Sequence, residues 1–157
     1  MKNEWVRALG NMTYGIYVLT TSHEETMNGM IASWVTQVSY EPPLIAAAVH
    51  PNRFSHDLIK QSGRFALHVL GKKQKYLITK FMSADPEAKF SGIEWRPGQT
   101  GCPGLADCVE FFECSLNSHV ATGNHTLFVG EVVKAETVSG AELLSTLDFR
   151  GQYIGKM

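Results

Sequence analysis

Cysteine is scarce in this chain, and its spacing excludes several chemistries. Cys102, Cys108 and Cys114 stand six residues apart, with no CxxC pair among them. Neither a zinc knuckle nor a thioredoxin-type redox pair fits that pattern. An odd, sparse set suits a reducing compartment, where free Cys packs as a small apolar residue. Long apolar runs are also missing. The longest, residues 44–49, is far too short to span a bilayer. The start, Met1-Lys2-Asn3-Glu4-Trp5-Val6-Arg7, lacks the apolar stretch of a signal peptide. A cytoplasmic protein without membrane contact is expected. An excess of one charge is lacking too, because 14 basic and 15 acidic residues leave −1 with His neutral. That balance supports neither a nucleic-acid footprint nor a polybasic membrane surface.

Linkers, repeats and blocks of like charge are absent, so 157 residues with 44% hydrophobic content read as a single folded domain, 1–157. Phosphate and nucleotide signatures are absent as well. The chain contains no GxGxxG, no GxxxxGK[ST], no HExxH and no GxSxG. Its six histidines (23, 50, 56, 68, 119 and 125) show no i, i+4 pairing, so no metal site is expected. His56 and Asp57, being sequence neighbours, read as helix surface.

What is present is a series of β-like runs separated by turn signals. Residues 15–21 are rich in β-branched and aromatic side chains and give way to the polar His23-Glu24-Glu25. Residues 29–39 read as a second strand, stopped by Glu41-Pro42-Pro43. Residues 44–49 have the unbroken apolar character of a strand buried on both faces. Residues 65–70, 109–120 and 126–138 complete about six strands. A helix is expected from an Asn52 N-cap through Phe54, Leu58 and Ile59 to a C-cap at Gly63. A second helical face combines Leu77, Ile78 and Phe81 beside exposed Lys72, Lys73 and Lys75. Without regular βα alternation, a doubly wound parallel sheet is disfavoured. The expected fold is mainly β, an antiparallel split β-barrel with peripheral helices and a ligand at its rim.

Three segments carry candidate chemistry. In Asn28-Gly29-Met30-Ile31-Ala32-Ser33-Trp34-Val35-Thr36-Gln37, small Ala32 and Ser33 let backbone groups approach a flat heterocycle, with apolar contact from Trp34 and Val35. An ordinary amphipathic strand reads the same way. In His50-Pro51-Asn52-Arg53-Phe54-Ser55, a strand end enters a helix whose N-terminal N–H groups suit phosphate. Arg53 offers a charged fork and Asn52 or Ser55 a neutral donor; a plain N-cap with a solvated Arg is the alternative. In Gly123-Asn124-His125, a histidine at a strand start reaches a rim site, or simply bonds the turn.

These segments, in this order, closely resemble the flavin reductase-like family of FMN-binding split barrels. The family's NGM and VS-x-x-PPL segments stand here as Asn28-Gly29-Met30 and Val38-Ser39-Tyr40-Glu41-Pro42-Pro43-Leu44. Its later strands match Ser62-Gly63-Arg64-Phe65 through Val69-Leu70, and Gly123-Asn124-His125 through Gly130-Glu131-Val132. Phe149-Arg150-Gly151-Gln152-Tyr153 is similar to its C-terminal Tyr segment. Trp34-Val35, where many relatives have Ser-Phe, is the form of ferric reductases and of members that feed rubredoxin-like partners. Many relatives also carry Asp where this chain has Asn124.

The resemblance implies a homodimer with FMN near the subunit interface and NAD(P)H as electron donor. The acceptor would be free flavin, a ferric complex or a small redox protein. The implied cofactor-binding residues along the first segment are Asn28, Ala32, Ser33, Trp34, Val35 and Gln37. His50, Asn52, Arg53, Phe54 and Ser55 follow at the turn, with Phe81 beyond. His125 serves both cofactor binding and catalysis, and His68 and His119 stand on strands without a flavin role. A non-catalytic FMN-binding protein, a flavin store or sensor, would need the same pocket and stays open as the alternative.

Overall fold

The structure, a computed structural model, describes residues 3–149. A short helix, α1 (Asn3–Leu9), buries none of its residues. The β-branched run that follows forms β1 (Tyr17–His23), which turns through Glu24 (φ 51°) into β2 (Thr26–Ala32). The expected strand 29–39 does not continue unbroken. It divides at Ser33 and Trp34, because β2 pairs with β1 whereas β3 (Val35–Ser39) pairs with β4 (Leu44–Val49).

The helix α2 (Phe54–Ser62) follows, and Gly63 closes it as expected, at φ 67° with its N–H donated to the Ile59 carbonyl. Then come β5 (Arg64–Val69), α3 (Tyr76–Phe81) and α4 (Pro86–Phe90). A small ribbon pairs β6 (Trp95–Pro97) with β7 (Pro103–Leu105). The chain ends its sheet with two 13-residue strands, β8 (Glu110–Thr122) and β9 (His125–Thr137), joined tightly through Gly123 (φ 54°) and Asn124.

The main sheet is antiparallel throughout, in the order β2-β1-β5-β8-β9-β4-β3. Its two edge strands are neighbours in sequence. Ala32 and Val35 are separated by only three Cα–Cα steps, at most about 11 Å. The sheet must therefore curl until its edges nearly meet. No backbone ladder joins β2 to β3, so the barrel stays open along that seam.

Two cores follow from β1 being buried on both faces. Leu19, Val49, Ile59, Phe65, Leu67 and Phe128 fill the barrel interior. Val18, Leu70, Leu77, Ile78, Phe81 and Phe90 form an outer core under α3 and α4. The face expected from Leu77, Ile78 and Phe81 is there. The α2 face differs: Ser55, His56, Leu58 and Ile59 point inward, while Phe54 is exposed. A helix beginning at Phe54 rotates that side chain out of the stripe that meets the sheet.

Candidate functional site

Backbone connectivity brings the three sequence segments to one end of the seam. Trp34 occupies the corner between β2 and β3. The Val35 N–H donates to the Ser33 carbonyl (3.0 Å), and the Ala48 N–H holds the Trp34 carbonyl at 3.0 Å. Register does the rest. Val49 of β4 lies opposite Thr126 of β9, which brings His50 and His125 together just beyond that pair. Their rings meet edge to face with centroids 5.1 Å apart, and Trp34 lies 4.8 Å from His125 on the other side.

The turn into α2 leans on the same histidine. The Asn52 N–H donates to His50 Nδ1 (3.1 Å) and the Arg53 N–H to the His50 carbonyl (2.9 Å). A neutral His50 then carries its proton on Nε2. The N-cap is Arg53, one residue later than the expected Asn52, and no side chain caps the helix. The His56 N–H turns back to the Arg53 carbonyl (2.9 Å), while those of Phe54 and Ser55, at the positive end of the helix dipole, lack intrahelical acceptors.

At His125, Nδ1 lies 2.8 Å from Asn124 Oδ1, which accepts its proton and leaves Nε2 as a lone-pair acceptor. Partial burial, then the fields of His50 and Arg53, holds the His125 pKa below the usual imidazole value. The ring is neutral at pH 7. That state suits accepting an N–H better than stabilising an anion.

Not all expected residues reach this rim. Trp34, Asn52, Arg53 and Phe54 are exposed there, Val35 and Ser33 are half-buried, and Gln37 faces out with its amide donating to the Ser39 carbonyl. Ala32 is buried in the barrel core. Phe81 belongs to the outer core, its ring seated where a Cβ on Gly29 would fall. Asn28 and Ser55 are buried one layer beneath the turn and bond each other, Asn28 Nδ2 donating to Ser55 Oγ at 2.9 Å. They support the turn from below.

His56 is not helix surface. It is 6% exposed, its Nε2 lies 2.8 Å from Thr126 Oγ1, and its ring packs edge-on against Phe128. Only Asp57, 3.1 Å from His56 Nδ1, faces solvent. Lys89 on α4 was not foreseen either: it is 7% exposed and its Nζ donates to Asn28 Oδ1 (3.0 Å) and to the Gly29 carbonyl (2.8 Å). Asp85-Pro86-Glu87, an N-cap followed by a first-turn Pro, signals that helix in sequence, and Asp85 does accept from the Glu87 N–H.

The cysteines take no part. Burial pushes Cys108 and Cys114 up to about 12 and raises Cys102 as well, so none is a thiolate nucleophile at neutral pH. Two concavities elsewhere, one beside Tyr76, Ile93 and Asp107 and one under the β6–β7 ribbon, lie away from the rim. The rim is the place that combines a ring-stacking surface, an uncapped helix start and an imidazole acceptor. Such a combination has the chemistry that a phosphorylated aromatic heterocycle calls for.

Comparison with known proteins gives that class a family. Residues 9–155 match the flavin reductase like domain. The chain is 33% identical over 147 residues to the reductase subunit HsaB of a flavin-dependent monooxygenase from Mycobacterium tuberculosis, covering 94% of this chain and 78% of that one. It is 32% identical to a ferric-chelate reductase (NAD(P)H) from Archaeoglobus fulgidus, covering 96% and 92%. The solved Streptomyces globisporus NADH:FAD oxidoreductase SgcE6 superposes with a TM-score of 0.82 at 30% identity, covering 88% and 84%. The chain belongs to the flavin reductase-like family and is a flavoprotein oxidoreductase of that type. The expected recognition and the expected split-barrel fold both stand. The closing segment after Phe149 lies outside the described residues.

Proposed function

We propose that this chain binds FMN at the seam and reduces it with NADH or NADPH, passing electrons to free flavin, a ferric complex or a small redox protein. The observation that carries the reading is the convergence of Trp34, the uncapped start of α2 and His125 within one rim. The donor set fits FMN: Arg53 and the first-turn N–H groups of α2 would hold the phosphate, and Trp34 and Val35 would border the ring system. The bound flavin supplies the hydride and electron chemistry, which is the cofactor's own.

The protein's residues bind and orient. Neutral His125, with Nδ1 fixed by Asn124, offers Nε2 to the carboxamide N–H of the nicotinamide. The rings of His50 and Trp34 both pack against His125, so the acceptor direction is set before the nucleotide arrives. Orientation of this kind lowers the barrier without a proton transfer in the same step. Because the His125 pKa is depressed, reduction is expected to stay level from pH 8 down to 6.5. It should fall only below the ordinary imidazole value, as Nε2 takes up a proton.

The exposed Trp34, Val38, Tyr40 and Val120 around the seam support a homodimer in which a second copy covers the rim. Three buried free cysteines support a reducing, cytoplasmic address. Among the described residues, no helix is long and apolar enough to cross a membrane.

Stopped-flow mixing of FMN-loaded protein with NADH and with NADPH tests the reading. Rapid bleaching of the flavin absorbance is expected with at least one nucleotide. No bleaching with either would return the chain to a non-catalytic flavin store.

A further inference from the structure

A neutral imidazole presents either a donor or an acceptor at Nε2, and the group that holds Nδ1 decides which. At the rim the fold makes the two choices oppositely. The Asn52 N–H donates to His50 Nδ1 at 3.1 Å, so that ring carries its proton on Nε2 and offers a donor. Asn124 Oδ1 accepts the N–H of His125 Nδ1 at 2.8 Å, so that ring offers the lone pair of Nε2. Both rings are half-buried and use Nδ1 within the fold. Among the described residues, neither Nε2 is hydrogen-bonded.

Sheet register sets the spacing of this pair. His50 follows the last residue of β4 and His125 opens β9, on either side of the Val49–Thr126 pair. The rings meet edge to face at 5.1 Å, and Trp34 packs against His125 at 4.8 Å, so neither imidazole turns freely. One donor beside one acceptor matches a primary carboxamide. The amide N and O lie about 2.3 Å apart and their hydrogen bonds diverge, so two rings at this spacing can take one each. A ketone satisfies the donor alone. A carboxylate sets a second oxygen against the lone pair of His125.

Building on the reading that His125 accepts the carboxamide N–H of a nicotinamide, we propose that His50 donates its Nε2–H to the carbonyl of the same carboxamide. The two histidines form a clamp of opposite tautomers, and His50 is the half that selects the carbonyl. It is a specificity-determining residue. A site built for both hydrogen bonds rejects a nucleotide that lacks either one.

The test titrates FMN-loaded protein with oxidised nucleotides, which bind without reducing the flavin, and follows the shift in flavin absorbance. NAD+ or NADP+, whichever binds more tightly, is compared with two analogues of the same nucleotide. The thionicotinamide form keeps both N–H groups but has sulfur, a poor acceptor, in place of oxygen. The acetylpyridine form keeps the carbonyl and has a methyl in place of the NH2. Wild type is expected to favour the carboxamide about fivefold over each, the worth of one neutral hydrogen bond. His50→Asn keeps an acceptor for the Asn52 N–H but falls short of the carbonyl. In it the preference over the thio form should vanish and the preference over the acetyl form persist, whereas His125→Ala should do the reverse. If His50→Asn does not bind FMN, His50→Phe carries the same expectation. A thio preference that survives loss of the His50 imidazole overturns the proposal and leaves the role of His125 intact, and a wild type that does not favour the carboxamide over the thio form overturns it equally. An acetyl preference that survives His125→Ala overturns that role, and the clamp with it.

Discussion

Glu113 and Lys89 are both buried charges, one on β8 and the other on α4, and the fold treats them differently. Glu113 has no solvent exposure, yet it accepts the Gln99 N–H (3.0 Å), the Thr100 N–H (2.8 Å) and the Thr100 hydroxyl (2.7 Å). Burial alone would push its pKa up, but those hydrogen bonds, joined by the field of Lys134, outweigh burial and hold it below the usual carboxylate value. Even Gly98 conforms, because a Cβ there would fall 2.3 Å from a Glu113 oxygen. Glu113 is complete within the fold and fastens the loop between β6 and β7. Lys89 has neutral acceptors only, and its net pKa moves toward the uncharged form. The fold surrounds one buried charge with donors that match it and holds the other by neutral oxygens alone.

The largest effect should come from breaking the completed charge. Glu113→Ala is expected to cost about 4 kcal/mol, since it orphans three donors and frees the loop. Urea unfolding measures the loss, and the ratio of FMN to riboflavin affinity should not move. A fall in that ratio as large as the one expected for Arg53→Ala would tie Glu113 to the ligand side.

A second buried group sharpens the structural side. His68 on β5 donates Nδ1–H to the Val18 carbonyl (3.1 Å) and accepts the Leu105 N–H at Nε2 (3.0 Å). Burial lowers its pKa to about 4 against an ordinary 6.5, and the Val18 bond and the field of Glu113 only partly oppose that. The unfolded chain then binds a proton that the native state refuses. Stability is expected to be full above pH 6.5 and to fall by about 3 kcal/mol as pH drops to 4. Unfolding curves at pH 7, 5.5 and 4 should show the decline in wild type and a shallower one in His68→Asn.

Smaller effects probe the ligand side. Arg53→Ala should weaken FMN about tenfold, 1.4 kcal/mol, and leave riboflavin nearly unchanged in a titration that follows quenching of flavin fluorescence. Equal losses for both flavins would detach Arg53 from the phosphate. The smallest effect belongs to His119, exposed on β8 with its ring 5.8 Å from Phe128. His119→Ala should stay within about 0.5 kcal/mol of wild type in stability.

Much of this was legible in the sequence where local chemistry decides. The unbroken apolar run of β4, the αL glycine after α2 and the Gly-Asn turn before His125 all stand where the residues put them. What escaped depends on contacts distant in sequence. The break at Ser33 and Trp34 arises because β2 and β3 choose partners at opposite ends of the sheet, which no periodicity records. His56 looks like a polar helix residue beside Asp57, and only the packing of α2 against β9 turns it inward. Ala32, read as a ligand-facing small residue, is small because the barrel core is close; Ala32→Leu would overpack that core. Lys89 escaped because a lysine in a short helix reads as solvated, and only Asn28 and Gly29, some sixty residues earlier, give it a buried seat.

The central claim is that the rim divides its work, with Arg53 and the start of α2 holding the anion and His125 placing the nicotinamide. The most direct measurement is the rate of flavin bleaching by NADH or NADPH in His125→Ala loaded with FMN, with His119→Ala alongside. The account predicts FMN affinity near wild type and reduction at least about tenfold slower, 1.4 kcal/mol in barrier, in His125→Ala alone. A wild-type bleaching rate in His125→Ala at full FMN occupancy would contradict it.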